Sequence, residues 1–193
     1  MIDRAAKRVP LPEAPPEPEK PQLVRLDLAC GQRKKEGFLG VDIGRLEGVD
    51  FPGVDLFKFP WPFEDGAVDE VHSAHFFEHV PAELRLRFFD ELYRVLKVGS
   101  RAQIVCPYYN SSRASQDPTH CWPPISEGSF LYANKGWRES NGLSHYGVSC
   151  DFDFVFGYTY YPDWESRSED ARAFAQKHYT NVVMDIHVSL VKR

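Results

Sequence analysis

Residues 23–44, LVRLDLACGQRKKEGFLGVDIG, decide the fold. The first six are an apolar run closed by turn residues, the pattern of a strand at the centre of a parallel sheet. Asp27 falls near the carboxyl end of that strand, the edge at which open α/β sheets take their ligands. Ala29, Cys30 and Gly31 form the turn, and Gly31 has no Cβ to hold the backbone away from a ligand. A short connection leads to a second strand ending in Val41, Asp42 and Ile43. Asp42 thus reaches the same edge, where a carboxylate can accept both hydroxyls of a ribose. A dinucleotide site would need G-x-G-x-x-G at a helix N-terminus and an acid about 20 residues further on. Only one of those glycines is present, and Asp42 follows Gly31 at roughly half that spacing.

The chain around this stretch has 193 residues, room for one domain with a sizeable core. Its 42% hydrophobic and 26% charged content is that of a soluble globular protein. A net charge of −5 argues against a broad basic face for duplex nucleic acid. No run approaches the roughly 18 apolar residues of a membrane helix. Residues 1–22 also lack the apolar segment of a signal peptide, so a cytoplasmic location is expected. Cys30, Cys106, Cys121 and Cys150 are widely spaced and are expected as free thiols. Residues 1–22 carry Pro10, Pro12, Pro15, Pro16, Pro18 and Pro21 among Glu and Lys, and cannot bury enough apolar surface to fold alone. They are read as a disordered tail in preference to an arm for a protein partner, which leaves 23–193 as the folded domain.

Beyond Asp42 the pattern predicts a short edge strand at Val54, Asp55 and Leu56, a stiff aromatic connection at 60–63 and a strand at 68–73. Pro81 opens a helix, an early position where its missing N–H is harmless. Leu84, Phe88, Leu92, Val95 and Leu96 recur at three- and four-residue steps and face the sheet. Gly99 is read as the helix stop. Strands are expected at 101–106, 152–160 and 181–192, with a helix at 168–178 capped by Ser168. Residues 108–150 show little apolar periodicity and many Tyr, Trp, Asn, Ser, His and Gly residues, with a short helix expected at 126–132. A loop that long in a compact domain is functional or disordered. Trp122, Tyr132, Trp137 and Tyr146 argue against plain disorder.

The opening stretch resembles the first motif of the class I S-adenosylmethionine (SAM) dependent methyltransferases: an apolar strand, D-x-G-x-G, then a strand ending in an acid. Ala29 stands where the family has its first glycine. Three further blocks fall in the family's order. Val54-Asp55-Leu56 is followed by PFEDGAVDEV (62–71). Glu78-His79-Val80 comes next, then ELYRVLKVG (91–99), similar to the family's E-x-x-R-V-L-K-P-G-G and structural there. The resemblance implies a three-layer Rossmann-like α/β domain, a seven-stranded sheet of order 3-2-1-4-5-7-6 with the last strand antiparallel. The short link after Gly31 suggests a trimmed sheet face. The resemblance further implies SAM as cofactor, held by Asp27, Ala29, Cys30, Gly31, Asp42 and Ile43. Asp55 would take the adenine amino group, with Leu56 against the ring. Ser73, Ala74 and His75 would line the methionine moiety. Asp117-Pro118-Thr119-His120 matches a D-P-x-H segment that caps the active site in related small enzymes, making 108–150 a lid.

Methyl transfer is an in-line displacement in which the protein binds, orients and desolvates. A general base is needed only where the acceptor must lose a proton. His120 paired with Asp117 is the first candidate, then His75; an Asp–His turn that merely stabilises the loop is the plain alternative, and His79 is read as structural. Cysteine and histidine spacing matches no zinc pattern, so no metal is expected. Arg33, Lys34 and Lys35 could meet an anionic acceptor or form a solvated turn. Trp122, Trp137 and Tyr146 could stack on a planar or sugar acceptor or serve as core. The expected activity is methylation of an oxygen or nitrogen of a small molecule or sugar. The alternatives are a protein or nucleic-acid acceptor, or a non-catalytic assembly protein that keeps the fold.

Overall fold

The computed structural model describes residues 23–193; the tail at 1–22, with its expected disorder or partner role, lies outside the described residues. β1 (Arg25–Leu28) carries Leu26, Asp27 and Leu28 buried together, as a central parallel strand requires. β2 (Leu39–Asp42), β3 (Phe51–Pro52), β4 (Val68–Ala74), β5 (Leu96–Pro107), β6 (Phe152–Tyr160) and β7 (Val183–Lys192) complete one sheet of order β3-β2-β1-β4-β5-β7-β6. The first five strands are parallel, and β7 runs antiparallel to both β5 and β6. This is the sheet the sequence resemblance implied.

Two boundaries differ from expectation. β3 lies at Phe51–Pro52 and not at 54–56, because the Gly53 and Val54 amides both donate to the Asp42 carbonyl, at 2.8 and 3.1 Å, and turn the chain there. Asp55 and Leu56 are therefore left beyond the strand, at the sheet edge. Nor does Gly99 end the helix. α1 (Ala82–Val95) stops at Val95, and Leu96 already pairs with Val68 in β5. The register then shifts before Glu70 meets Arg101, and Gly99, at φ +79°, lies in that irregular stretch.

Phe88, Leu92 and Val95 of α1 join Leu26, Val71, Ala102, Ile104 and Leu190 in the main core. The other sheet face carries the row Asp27, His72, Gln103, Ser189 and Val155, of which Val155 is 70% exposed. Residues 29–38 cross from β1 to β2 without a helix, so the row is covered from this link by Phe38, which meets His72 edge-on, and by the Lys35 amide on Asp27. The trimmed face follows from that short link.

Segment 108–150 is ordered by short elements: α2 (Ser112–Gln116), α3 (Gly128–Leu131) and α4 (Lys135–Ser140), then a 3-10 turn at Ser144–Tyr146. Buried Arg138 donates to the carbonyls of Tyr132, Val148 and Cys150, and Asp90 of α1 accepts from the Ser149 and Cys150 amides. α5 (Pro162–Glu165) and α6 (Glu169–His178) join β6 to β7, with Ser168 capping α6 as expected. Among the described residues no helix is long and apolar enough to cross a membrane.

Candidate functional site

At the carboxyl ends of β1 and β2 the chain makes a tight, charge-locked turn. The Ala29 amide donates to the Val41 carbonyl at 2.8 Å, and Ala29 itself adopts φ +53°, the left-handed region a glycine would enter freely. Alanine therefore keeps the turn at a cost in strain. Gly31 repeats the conformation at φ +53°, and its amide donates to Asp42 Oδ2 at 2.9 Å. The Gly44 amide donates to Oδ1 at 2.7 Å. Asp42 is thus fixed in orientation, while each oxygen keeps a lone pair for another donor. Gly40 is needed at its place: a Cβ there would lie 2.7 Å from Cys30 Sγ. Burial, reinforced by Asp27 and Asp42, pushes the Cys30 thiol up.

A cavity of about 280 Å³ opens beside this turn, lined by Ala29, Asp42, Ile43, Val54, Asp55, Leu56, Phe57 and Phe76. Its two carboxylates stand on an otherwise apolar wall. Asp55 is oriented by the Phe57 amide at 3.0 Å, Phe57 stacks on Phe76 at 5.6 Å, and Ile43 is 66% exposed. Of the residues expected to bind cofactor, Ala29, Asp42, Ile43, Asp55 and Leu56 come together here, with Cys30 and Gly31 supporting the turn. Asp27 does not line the cavity: its carboxylate is engaged by His72 Nδ1 and the Lys35 amide, both at 2.7 Å. Ser73 is buried with its hydroxyl 3.4 Å from the Leu28 carbonyl. Ala74 ends β4 and does not line this cavity.

A second cavity, of about 530 Å³, lies at the ends of β4 and β5, bordered by His75, Glu78, His79, Pro107, Arg113, Gln116, Asp117, Pro118 and His120. His75 takes φ +56°, its amide tied to the Val105 carbonyl at 2.8 Å. The strand thus turns abruptly into a 3-10 turn at Phe77–His79, where Phe77 plugs the core against Phe88, Phe89 and Phe130. Phe76 consequently reaches the first cavity while His75, Glu78 and His79 face the second. Glu78 beside it holds the His75 imidazole above its usual range.

The segment carrying His120 is held against this turn by Arg85 of α1. Its guanidinium, 7% exposed as a residue, donates to Val80, Cys121 and Pro123 carbonyls at 3.0, 2.9 and 2.6 Å. The Cys121 amide donates to the Glu78 carbonyl at 2.8 Å. His120 is oriented by the Ala114 carbonyl, 3.1 Å from Nδ1, rather than by Asp117, whose nearest oxygen is 3.7 Å from Nε2. Asp117 is occupied by the Thr119 amide and hydroxyl, which hold its carboxyl below the usual range.

Several other sequence candidates have partners within the domain. Lys34 pairs with Asp50 at 2.7 Å and Lys35 sits 4.9 Å over the Phe38 ring, so the basic cluster is mostly engaged within the domain. Trp137 and Tyr146 both pack on Tyr132, whereas Trp122 is 82% exposed near His120. All four cysteines are free thiols, and burial pushes Cys150 up to about 12. Glu78, Phe57 and Phe76 were not expected at either cavity. Glu78 precedes His79 directly, and a carboxylate beside a histidine after a strand end was the available signal.

A family model described as a methyltransferase domain matches residues 23–104. Among solved structures, a SAM-dependent methyltransferase from Archaeoglobus fulgidus is 21% identical, covering 90% of this chain and 87% of its own, with a TM-score of 0.59. A SAM-dependent methyltransferase from Mesorhizobium loti is 18% identical over 91% and 93% of the two chains, with a TM-score of 0.50. The YcgJ protein from Bacillus subtilis is 16% identical over 91% and 94%, with a TM-score of 0.51. No curated protein matches the chain by sequence. In strand order and in the order of its motifs, the chain has the fold of the class I SAM-dependent methyltransferases.

Proposed function

We propose that the chain binds SAM in the cavity beside Asp42 and transfers its methyl group to an oxygen or nitrogen of a small molecule or sugar seated in the cavity beside His120. The observation that carries this reading is the shared wall: residues 75–79 give Phe76 to one cavity and His75, Glu78 and His79 to the other. Cofactor and acceptor would so meet across one short turn.

The residues fit the cofactor. Asp42, locked by two amides, offers its remaining lone pairs to the ribose hydroxyls. Asp55 offers an acceptor to the adenine amino group, and Ile43, Leu56 and Phe57 give the apolar slot for its ring. No phosphate cradle is needed or present in the turn, since one glycine replaces the three of a dinucleotide loop. SAM, when bound, supplies a methyl group on a positively charged sulfur, so no redox partner is required. The chain's own task is to align the acceptor, exclude water and take its proton. His120 suits the last role, because a carbonyl at Nδ1 leaves the Nε2 lone pair free. His75 is the second candidate.

The test is by exchange of the two carboxylates. Asp42→Ala should weaken SAM binding at least tenfold, as charge-assisted bonds to both hydroxyls are lost. Asp55→Asn should leave SAM bound and erase a preference for the adenosyl over the inosyl compound, which lacks the amino group. Unchanged SAM affinity in folded Asp42→Ala would remove the cofactor assignment.

A further inference from the structure

We propose that Glu78, His79 and His120 form a site for one divalent transition-metal ion, Zn2+ suiting the donor set best, on the wall of the second cavity. One ligand atom from each of the three lies within 4.8 Å of the others. Bound at about 2.0–2.2 Å each, such atoms stand roughly 3.3 Å apart around a tetrahedral ion, so small side-chain rotations close the site.

Glu78 supplies the independent observation. It is 4% exposed, and neither carboxylate oxygen has a hydrogen-bond partner. The nearest cationic group within reach, His75 Nδ1, stays 3.6 Å from Oε1. Arg85 close by spends its guanidinium on three carbonyls. The adjoining Cys106 is buried, and a thiol is a weak donor at most. With no hydrogen-bond donor in range and only the His75 imidazole facing it at 3.6 Å, this buried carboxylate is poorly compensated, and a bound cation removes that cost.

The two imidazoles are already set as ligands. His79 Nδ1 lies 3.2 Å from the Thr119 carbonyl and His120 Nδ1 lies 3.1 Å from the Ala114 carbonyl. Carbonyls only accept, so both Nδ1 atoms carry the proton and both Nε2 lone pairs are free. Metal-binding histidines are held this way, by a backbone acceptor on the far nitrogen. Two histidines and a glutamate facing an open cavity leave a coordination position vacant, the arrangement of catalytic zinc centres. Binding of the ion stands apart from the cofactor reading. Its use, holding an acceptor oxygen, rests on that reading and would take the His120 Nε2 lone pair from the proton-accepting role proposed above.

The experiment uses the full chain, stripped with EDTA and desalted, then titrated with Zn2+ against a chromophoric chelator and with Co2+ by visible absorption. One equivalent should bind, with affinity falling at least tenfold in His79→Ala, His120→Ala and Glu78→Gln, and unchanged in His145→Ala at the exposed surface. Circular dichroism checks each fold. Should Glu78→Gln fail to fold, the two histidine variants decide alone. The absence of saturable binding by folded protein, or affinity indifferent to both histidine substitutions, overturns the site. A SAM titration of the same stripped protein reads the cofactor separately, so either reading can fail without the other.

Discussion

Arg85→Met tests how the His120 segment is held. Methionine keeps the apolar stem and removes three donors, leaving the Val80, Cys121 and Pro123 carbonyls unpaired. An orphaned buried acceptor costs about 1–3 kcal/mol, so three set an upper range of roughly 3–9 kcal/mol. Two effects reduce it. The guanidinium no longer has to be desolvated, a cost visible in the lowering of its pKa by burial, and water can reach the 121–123 carbonyls once the loop loosens. The expected loss is about 3 kcal/mol, or roughly 6–12 °C in Tm for a domain of this size. Urea unfolding gives the free energy, and hydrogen exchange at the Cys121 amide, bound to the Glu78 carbonyl at 2.8 Å, reports the loop itself. A loss below about 1 kcal/mol, with the Cys121 amide still protected, would refute the staple.

Further outcomes follow from the turn and the surface charges. Ala29→Gly should raise stability by about 0.5–1 kcal/mol, the left-handed strain of roughly 1–2 kcal/mol less the extra glycine entropy; a fall in the urea midpoint would contradict it. Asp50 and Asp69 have carboxyls held below the usual range, first by Lys34 and Lys97 and next by the Gly40 and Val24 amides. Their folded values lie below the unfolded ones, so this stabilisation is present above about pH 4 and is lost as the pH falls through the folded values. Both ion pairs are partly exposed, so each contributes under about 1 kcal/mol. Asp50→Asn with Asp69→Asn should therefore flatten the acid limb of stability against pH; an unaltered limb would sink the assignment.

The parallel half of the sheet was legible because its strands are short apolar runs whose acids fall at one edge. Leu26 to Leu28 and Val41 announced their burial, and Asp42 its position. The boundary at Gly99 was not, because a glycine with positive φ serves a helix stop and a strand irregularity equally well. β3 lies ahead of the apolar triplet at 54–56 because the Asp42 carbonyl draws two amides and bends the chain there, which no residue pattern announces. Segment 108–150 shows no period because its order comes from polar staples, Arg85 and Asp90 of α1 and Arg138 within the segment itself, and not from an apolar stripe. Arg85, with the Cys121 amide on the Glu78 carbonyl, brings His120 to Glu78, a proximity that no local spacing encodes. Asp27, expected as a ligand, has its carboxylate engaged by His72 and the Lys35 amide, since position at a strand end does not fix which way a side chain turns.

The most direct measurement is a calorimetric titration of the purified chain with SAM and with its demethylated product, run beside NADH. Micromolar binding of both adenosyl compounds, with none of NADH, is the predicted result. A folded chain that binds neither, or that prefers NADH, would contradict the cofactor assignment on which the proposed methyl transfer depends.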